Sequence, residues 1–286
     1  MKKIVSFSGG RTSAYLCYLM KEKYGDEADF VYMDTGAEHS KTYDFIRKVD
    51  DAFGLRLTCL RTDFSSALGV GNTYHEISIN DIGPDLVPFT DMIAKYGPPY
   101  IGGMFCTDRM KLVPFKKYCD EKYSRGNYET WLGIRSDEPN RLKENRGIKY
   151  LANISDFEKS DILDFWSKMP FDLGIEEWNG NCVFCPKKSN LKLAAAQRDN
   201  PEFYHKYLTM IYSDSVRIDN KTGHWSQMYR GKMSLEQVVA MFDGSTGDEI
   251  KARIRGAKMI YSGSCSESCE AFVCTSNGQI NGVNYV

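Results

Sequence analysis

Two apolar spacings alternate along the first sixty positions. Lys3-Ile4-Val5-Ser6-Phe7 is a short run suited to a buried strand, and Ser8-Gly9-Gly10 breaks it. From Thr12 to Tyr24 the residues Tyr15, Leu16, Leu19 and Met20 recur at helical spacing. Phe30-Val31-Tyr32-Met33 reads as a second strand, stopped at Asp34-Thr35-Gly36. Helical spacing returns from Lys41 to Phe53 through Phe45, Ile46 and Val49, and Leu55 to Leu60 reads as a third strand. The order β-α-β-α-β predicts parallel strands joined by right-handed crossovers.

Residues 62–104 lose this rhythm and are punctuated by Gly and Pro, which predicts a long irregular insertion of the kind that often carries function. A helix follows over Lys111 to Tyr123, then a strand over Tyr128 to Ile134 and another over Ile148 to Leu151. Ser160 is placed to cap a helix running to about Met169. Beyond Gly174 a Cys-x-x-Cys turn precedes helices over Leu191 to Arg198, Pro201 to Ile211 and Ser234 to Phe242. The last forty residues are rich in Gly and Ser. The pattern predicts an α/β domain over 1–170 and a smaller, mainly helical lobe with a flexible tail over 171–286.

Composition narrows the class. Of 286 residues, 42% are hydrophobic and 26% charged, the balance of a globular chain rather than a fibrous or disordered one. The formal net charge of −1 excludes a uniformly basic nucleic-acid binder but permits a local basic face. No apolar run approaches the ~20 residues that span a bilayer. The N-terminus reaches Gly9-Gly10 too soon for a secretory signal, so a cytoplasmic protein without membrane partners is expected. Nine cysteines are then unusual, and in a reducing compartment they point to metal or redox chemistry.

The junction of the first strand and first helix carries Ser6-Phe7-Ser8-Gly9-Gly10-Arg11-Thr12-Ser13. Glycines there let the backbone approach an anion, a helix N-terminus offers N–H donors, and Ser8, Thr12 and Ser13 add hydroxyls. The Gly-Lys-Ser/Thr ending of a Walker A loop is missing. A strand-to-helix turn that uses Gly-Gly for steric reasons alone is the competing interpretation.

This Ser-Gly-Gly-x-x-Ser segment resembles the pyrophosphate loop of N-type ATP pyrophosphatases. Val31 to Glu38 with Thr42-Tyr43-x-Phe45 resembles the second segment of their PAPS reductase-like branch. Phe105-Cys106-Thr107-Asp108-Arg109-Met110-Lys111 resembles its Cys-x-x-x-x-Lys segment, and Leu132-Gly133-Ile134-Arg135-Ser136-Asp137-Glu138-x-x-Arg141 its Gly-x-Arg-x-Asp-Glu segment. The resemblance implies a HUP-type, Rossmann-like fold that cleaves ATP between the α and β phosphates and attaches AMP to an acceptor oxygen. Ser8, Arg135, Asp137, Arg141 and Lys111 would then be catalytic. Ser6, Ser8, Gly9, Gly10, Arg11, Thr12, Ser13, Asp34, Thr35 and Gly133 would hold the nucleotide. Arginines suit phosphate through bidentate bonds. Asp137 and Asp34 are the candidates for Mg²⁺, which prefers oxygen ligands. A surface ion pair is the alternative for Arg135 and Asp137.

The cysteines divide. Cys182-Val183-Phe184-Cys185-Pro186 places two thiols on one turn, suited to zinc, an iron–sulfur cluster or a redox disulfide. The resemblance adds Cys106 and implies a 4Fe-4S cluster, with zinc as the alternative and one of Cys265, Cys269 or Cys274 as a fourth ligand. Cys17, Cys59 and Cys119 fall in regular elements and read as packing residues.

The chain lacks the Glu-Cys-Gly-Leu-His ending of PAPS reductases; its Ser264-Cys265-Ser266-Glu267-Ser268-Cys269 does not match. Within the resemblance this favours a sulfurtransferase acting on nucleic acid, most similar to the proteins of DNA phosphorothioation and their phage-borne relatives. A cysteine desulfurase-type donor and other modification proteins would be partners. Basic residues cluster around Arg109 to Lys117, Arg135 to Arg146, Lys187 to Lys192 and Lys251 to Lys258, and on one groove they would track phosphates. The competing readings are PAPS or APS reduction, tRNA thiolation, and a silent nucleotide-binding subunit.

Overall fold

The computed structural model describes residues 1–258, apart from residues 66, 68, 102–104, 218–228 and 231. One six-stranded sheet organises the chain, with strands β1 (Lys2–Phe7), β2 (Ala28–Met33), β3 (Thr58–Asp63), β4 (Thr73–Ile77), β5 (Tyr128–Leu132) and β6 (Ile148–Tyr150). Their spatial order is β4-β3-β2-β1-β5-β6, and every pair is parallel except β3 with β4. From β1 the chain winds outward through β2 and β3, then returns to β5 on the other side of β1. That reversal opens a crevice at the C-terminal end of β1, the place where open α/β sheets bind ligands.

The two faces follow the period of two. Val5, Phe7, Phe30, Tyr32 and Cys59 point to one face, under helices α1 (Arg11–Tyr24), α2 (Ser40–Phe53) and α5 (Lys159–Ser167). Ile4, Val31, Met33 and Leu60 point to the other, where α4 (Val113–Tyr123) supplies Phe115, Tyr118 and Cys119. Burial on both faces explains why these strands read as continuous apolar runs. The α/β architecture is therefore the one the spacing predicted. Trp166 on α5 fixes the layer nearest the crevice. It is buried against Phe45 at a ring separation of 4.9 Å, and its Nε1 donates to the Arg11 carbonyl at 3.0 Å.

Several elements differ from the expectation. The stretch over 62–104 is not wholly irregular: it carries the antiparallel edge strand β4 and helix α3 (Val87–Tyr96). Polar Tyr74, His75 and Glu76 on an edge strand hid the first, and the Pro88 of the first turn hid the second. Helix α4 is entered through a π-helical turn, Asp108–Leu112. The cap of α5 is Glu158 rather than Ser160, with a reciprocal bond from the Glu158 N–H to Asp161 Oδ2 at 2.8 Å. Within the stretch read as tail, residues 247–258 form a helix.

The helices α6 (Asn190–Asp199), α7 (Pro201–Ile211), α8 (Leu235–Ala240) and α9 (Gly247–Lys258) pack around a second core. Phe184, Leu193, Tyr207 and Ile250 belong to it, and so do Ala37, Phe89, Met92 and Met110 from earlier in the chain. The insertion and the loop after β2 are thus sewn into the C-terminal helices. Among the described residues no helix is long and apolar enough to cross a membrane.

Candidate functional site

The crevice at the end of β1 is lined first by the Ser8 to Ser13 segment. Gly9 adopts φ +79°, and a Cβ there would stand 3.0 Å from both Thr42 Cγ2 and Ile46 Cδ1, so glycine is required on two counts. Gly10 precedes α1, and no side chain caps that helix. Its N-terminus therefore faces the crevice with backbone donors and a partial positive charge. Ser13 braces the turn from inside: its Oγ lies 2.9 Å from Ser8 Oγ, accepts from the Ser8 N–H at 3.2 Å and donates to the Gly10 carbonyl at 2.9 Å.

The loop after β5 closes one side. A Cβ on Gly133 would lie 2.8 Å from Ser13 Cα, so α1 can approach β5 this closely only over glycine. Beyond it Arg135 is buried, with Nε donating to Asp137 Oδ1 at 2.7 Å, Nη2 to Asp137 Oδ2 at 3.1 Å and Nη1 to Thr12 Oγ1 at 3.2 Å. Buried Glu138 accepts from the Arg135 N–H at 3.1 Å and from Arg141 Nη1. Arg11 is held by Asp172 through two bonds of 2.6 Å. Together these segments enclose a cavity of about 350 Å³. Its polar end is the Ser8 to Ser13 loop with Arg135 and Arg141; Ile162, Leu163, Leu173 and Ile175 give it an apolar side.

Glu38, buried, also lines this cavity and joins it to the cysteines. Glu38 Oε1 stands 3.5 Å from Lys111 Nζ and accepts from Cys182 Sγ at 3.9 Å. Burial lowers the Lys111 pKa, but the Glu38 carboxylate and the charges available to Cys182 and Cys106 outweigh it and leave the ammonium above its ordinary range. Burial, then Glu38, pushes the Cys182 thiol well up, with Lys111 opposing. Burial likewise raises Tyr207, which also feels Cys182, Cys106 and Cys185. Cys106 and Cys182 pack against the same core as Tyr207. The turn that carries Cys182 and Cys185 is pinned by Val183 N–H to the Ala37 carbonyl at 3.0 Å. Below it, Lys188 Nζ donates to the carbonyls of Trp178 at 2.6 Å and Val183 at 3.1 Å.

Three comparisons bear on this arrangement. A family profile described as the phosphoadenosine phosphosulfate reductase domain matches residues 2–79. The chain is 48% identical to the uncharacterized nin region protein ORF290 of Escherichia phage lambda, over 95% of its own length and 96% of that protein's. The chain belongs to the PAPS reductase-like family. Two uncharacterized proteins of Methanocaldococcus jannaschii are 24% and 25% identical over 78% and 72% of this chain, which spans 45% and 46% of their lengths. A PAPS reductase of Candida auris, solved as a phosphate complex, aligns with 14% identity and a TM-score of 0.40 over 59% of this chain and 72% of its own.

In this PAPS reductase-like chain the fold brings most of the predicted nucleotide residues together. Ser8, Gly9, Gly10, Arg11, Thr12, Ser13, Gly133, Arg135 and Arg141 all line the cavity. Ser6, Asp34, Thr35 and Asp137 do not. Asp34 instead receives Arg61 Nη2 at 2.6 Å and the Gly36 N–H at 3.0 Å, and Asp137 faces Arg135. Burial raises the Asp34 carboxyl despite Arg61. Thr35 Oγ1 lies 4.0 Å from Cys182 Sγ, on the cysteine side. Glu38 and Glu138 were missed as cavity residues, although both sit inside the motif segments that carry the family resemblance.

The cysteine expectations divide in the same way. Cys17, Cys59 and Cys119 are buried packing residues, and burial lifts the last two thiols to about 12. Cys265, Cys269 and Cys274 lie outside the described residues. Cys106, Cys182 and Cys185 are half-buried, and among the described residues no group of three or more His, Cys, Asp or Glu side chains is arranged to hold a metal ion. Lys111 and Glu38 stand beside Cys182. The basic face is also reduced: Lys188 is buried beneath the cysteine turn, while Lys192, Lys251 and Arg255 pair with Glu177, Asp199 and Glu176.

Proposed function

We propose that this chain is a nucleotide-binding enzyme that cleaves ATP between its α and β phosphates and transfers the adenylyl group to an acceptor oxygen. The observation that carries this reading is the convergence of the uncapped α1 N-terminus, the Ser8 hydroxyl and Arg135 on one cavity. Those donors match the negative charge of a pyrophosphate group. The apolar side formed by Ile162, Leu163, Leu173 and Ile175 suits a nucleobase. Glu38 then sets the cysteines beside the reacting nucleotide, where a sulfur species can displace the adenylated oxygen.

The test is product analysis with ATP labelled at the α phosphate. AMP and pyrophosphate are expected, with turnover lost in Ser8→Ala and Arg135→Gln. ADP and orthophosphate would overturn the proposal. Supplying DNA, tRNA or neither in parallel identifies the acceptor, the DNA backbone being the one implied by the phosphorothioation resemblance. The family profile favours a second reading, reduction of a sulfonucleotide. It predicts sulfite from PAPS or APS with a thioredoxin-type donor and no pyrophosphate from ATP. Metal and acid-labile sulfide analysis after anaerobic purification, repeated on Cys106→Ala and Cys182→Ala, decides whether 4Fe-4S or zinc joins these cysteines.

A further inference from the structure

The cavity contains a hydroxyl that the protein itself leaves unused. Thr42 lies in the first turn of α2, is 4% exposed and lines the cavity. Its Oγ1 is buried and has no hydrogen-bond partner. A buried hydroxyl in that state costs roughly 1–3 kcal/mol, so its retention calls for a compensating role. Tyr32 also buries an unpartnered hydroxyl among the described residues, but it does not line the cavity.

The side chain's other arm shows where that role lies. Thr42 Cγ2 is the atom a Cβ on Gly9 would meet at 3.0 Å, so the methyl abuts the phosphate loop. Oγ1 and Cγ2 share one carbon, and a rotation of about 120° about χ1 brings Oγ1 to the position the methyl holds, the methyl moving to where the hydrogen stood. Threonine in a helix divides between two such rotamers, unlike valine. We propose that Thr42 is a ligand-binding residue: with an oxyanion on the Ser8-Gly9-Gly10 loop, the hydroxyl turns to that loop and donates to a phosphate oxygen. It adds a donor from α2 to those of α1. This inference rests on the reading that the cavity takes phosphate.

The test measures binding of inorganic pyrophosphate to the full chain by calorimetry, alongside thermal unfolding of the ligand-free protein. Thr42→Val keeps the shape and removes the hydroxyl. It is expected to weaken pyrophosphate binding about tenfold while the ligand-free melting temperature holds or rises. Thr42→Ser keeps the hydroxyl and is expected to bind within about threefold of wild type. Equal binding by wild type and Thr42→Val would overturn this inference alone. So would a serine variant as weak as valine, or a valine variant that loses stability along with affinity. A wild-type chain that binds no pyrophosphate would overturn the phosphate reading and this inference together.

Discussion

The phosphate loop and the cysteine pocket share Glu38 but are specified by different forces. The loop is held by backbone approach: Gly9 against Thr42 and Ile46, Gly133 against Ser13, and α1 left uncapped toward the cavity. Its parts come from strand ends that the sheet already sets side by side. The cysteine pocket gathers three segments from far apart in sequence, around Glu38, Lys111 and Cys182, and holds them with charge in a buried setting. A steric site fails when atoms are added; an electrostatic one fails when a charge is removed. The difference can be broken or sharpened by substitutions in each region.

The largest effect is expected in the pocket. Lys111→Met leaves the Glu38 carboxylate, 4% exposed in its side chain, without the ammonium 3.5 Å away. Removing one partner of a buried pair costs about 3–5 kcal/mol. Urea unfolding should show that loss, and the double variant with Glu38→Gln should lose less than the two single variants summed. A Lys111→Met chain with the wild-type urea midpoint would break the electrostatic account of this region.

Next comes Gly133→Ala, where the added carbon meets backbone on α1 rather than a flexible side chain. Overpacking of this kind costs about 1–3 kcal/mol. The displacement of Ser13 should weaken pyrophosphate binding more than about tenfold, since small errors in positioning are costly. The contrast sharpens if calorimetry shows this affinity loss in Gly133→Ala and a much smaller one in Lys111→Met. Equal affinity losses would mean that the two regions are one mechanical unit.

The same difference decides what the sequence could reveal. The phosphate loop was legible because its residues are consecutive and sit where a strand period changes to a helix period. Ser8 to Ser13 and Gly133 to Arg141 are compact motifs, and the sheet's winding order brings them together. Asp34 and Asp137 were legible as residues but not as geometry: only the fold shows that Arg61 and Arg135 engage them. Glu38 gains its position from the tertiary contact between the loop after β2 and the cysteine turn. Lys188 looked like part of a basic face, because charge alone does not reveal that two carbonyls await the ammonium beneath that turn. Helix α3 and strand β4 were hidden by proline and polar edge positions, where local propensity and tertiary fit disagree.

The smallest expected effect lies at the cavity's rim, where Arg11 of the phosphate loop is clasped by Asp172. Burial raises the Asp172 carboxyl, but the Arg11 hydrogen bonds and the N–H groups of Leu173 and Gly174 outweigh it, so its pKa lies below the ordinary value. A carboxylate depressed in the folded state adds stability that is present above the unfolded value of ~3.9 and fades as pH falls through the folded value. The Asp172 side chain is 38% exposed, so solvent screening keeps the contribution to on the order of 0.5 kcal/mol. Asp172→Asn should therefore unfold at slightly lower urea than wild type at pH 7, with the gap closing as pH is taken below ~3.9. Added salt should narrow the gap at pH 7 as well, because the pair is partly open to solvent. A gap that widens toward acid would mean that Asp172 acts through something other than its charge on Arg11, and this rim would then belong with the sterically specified loop.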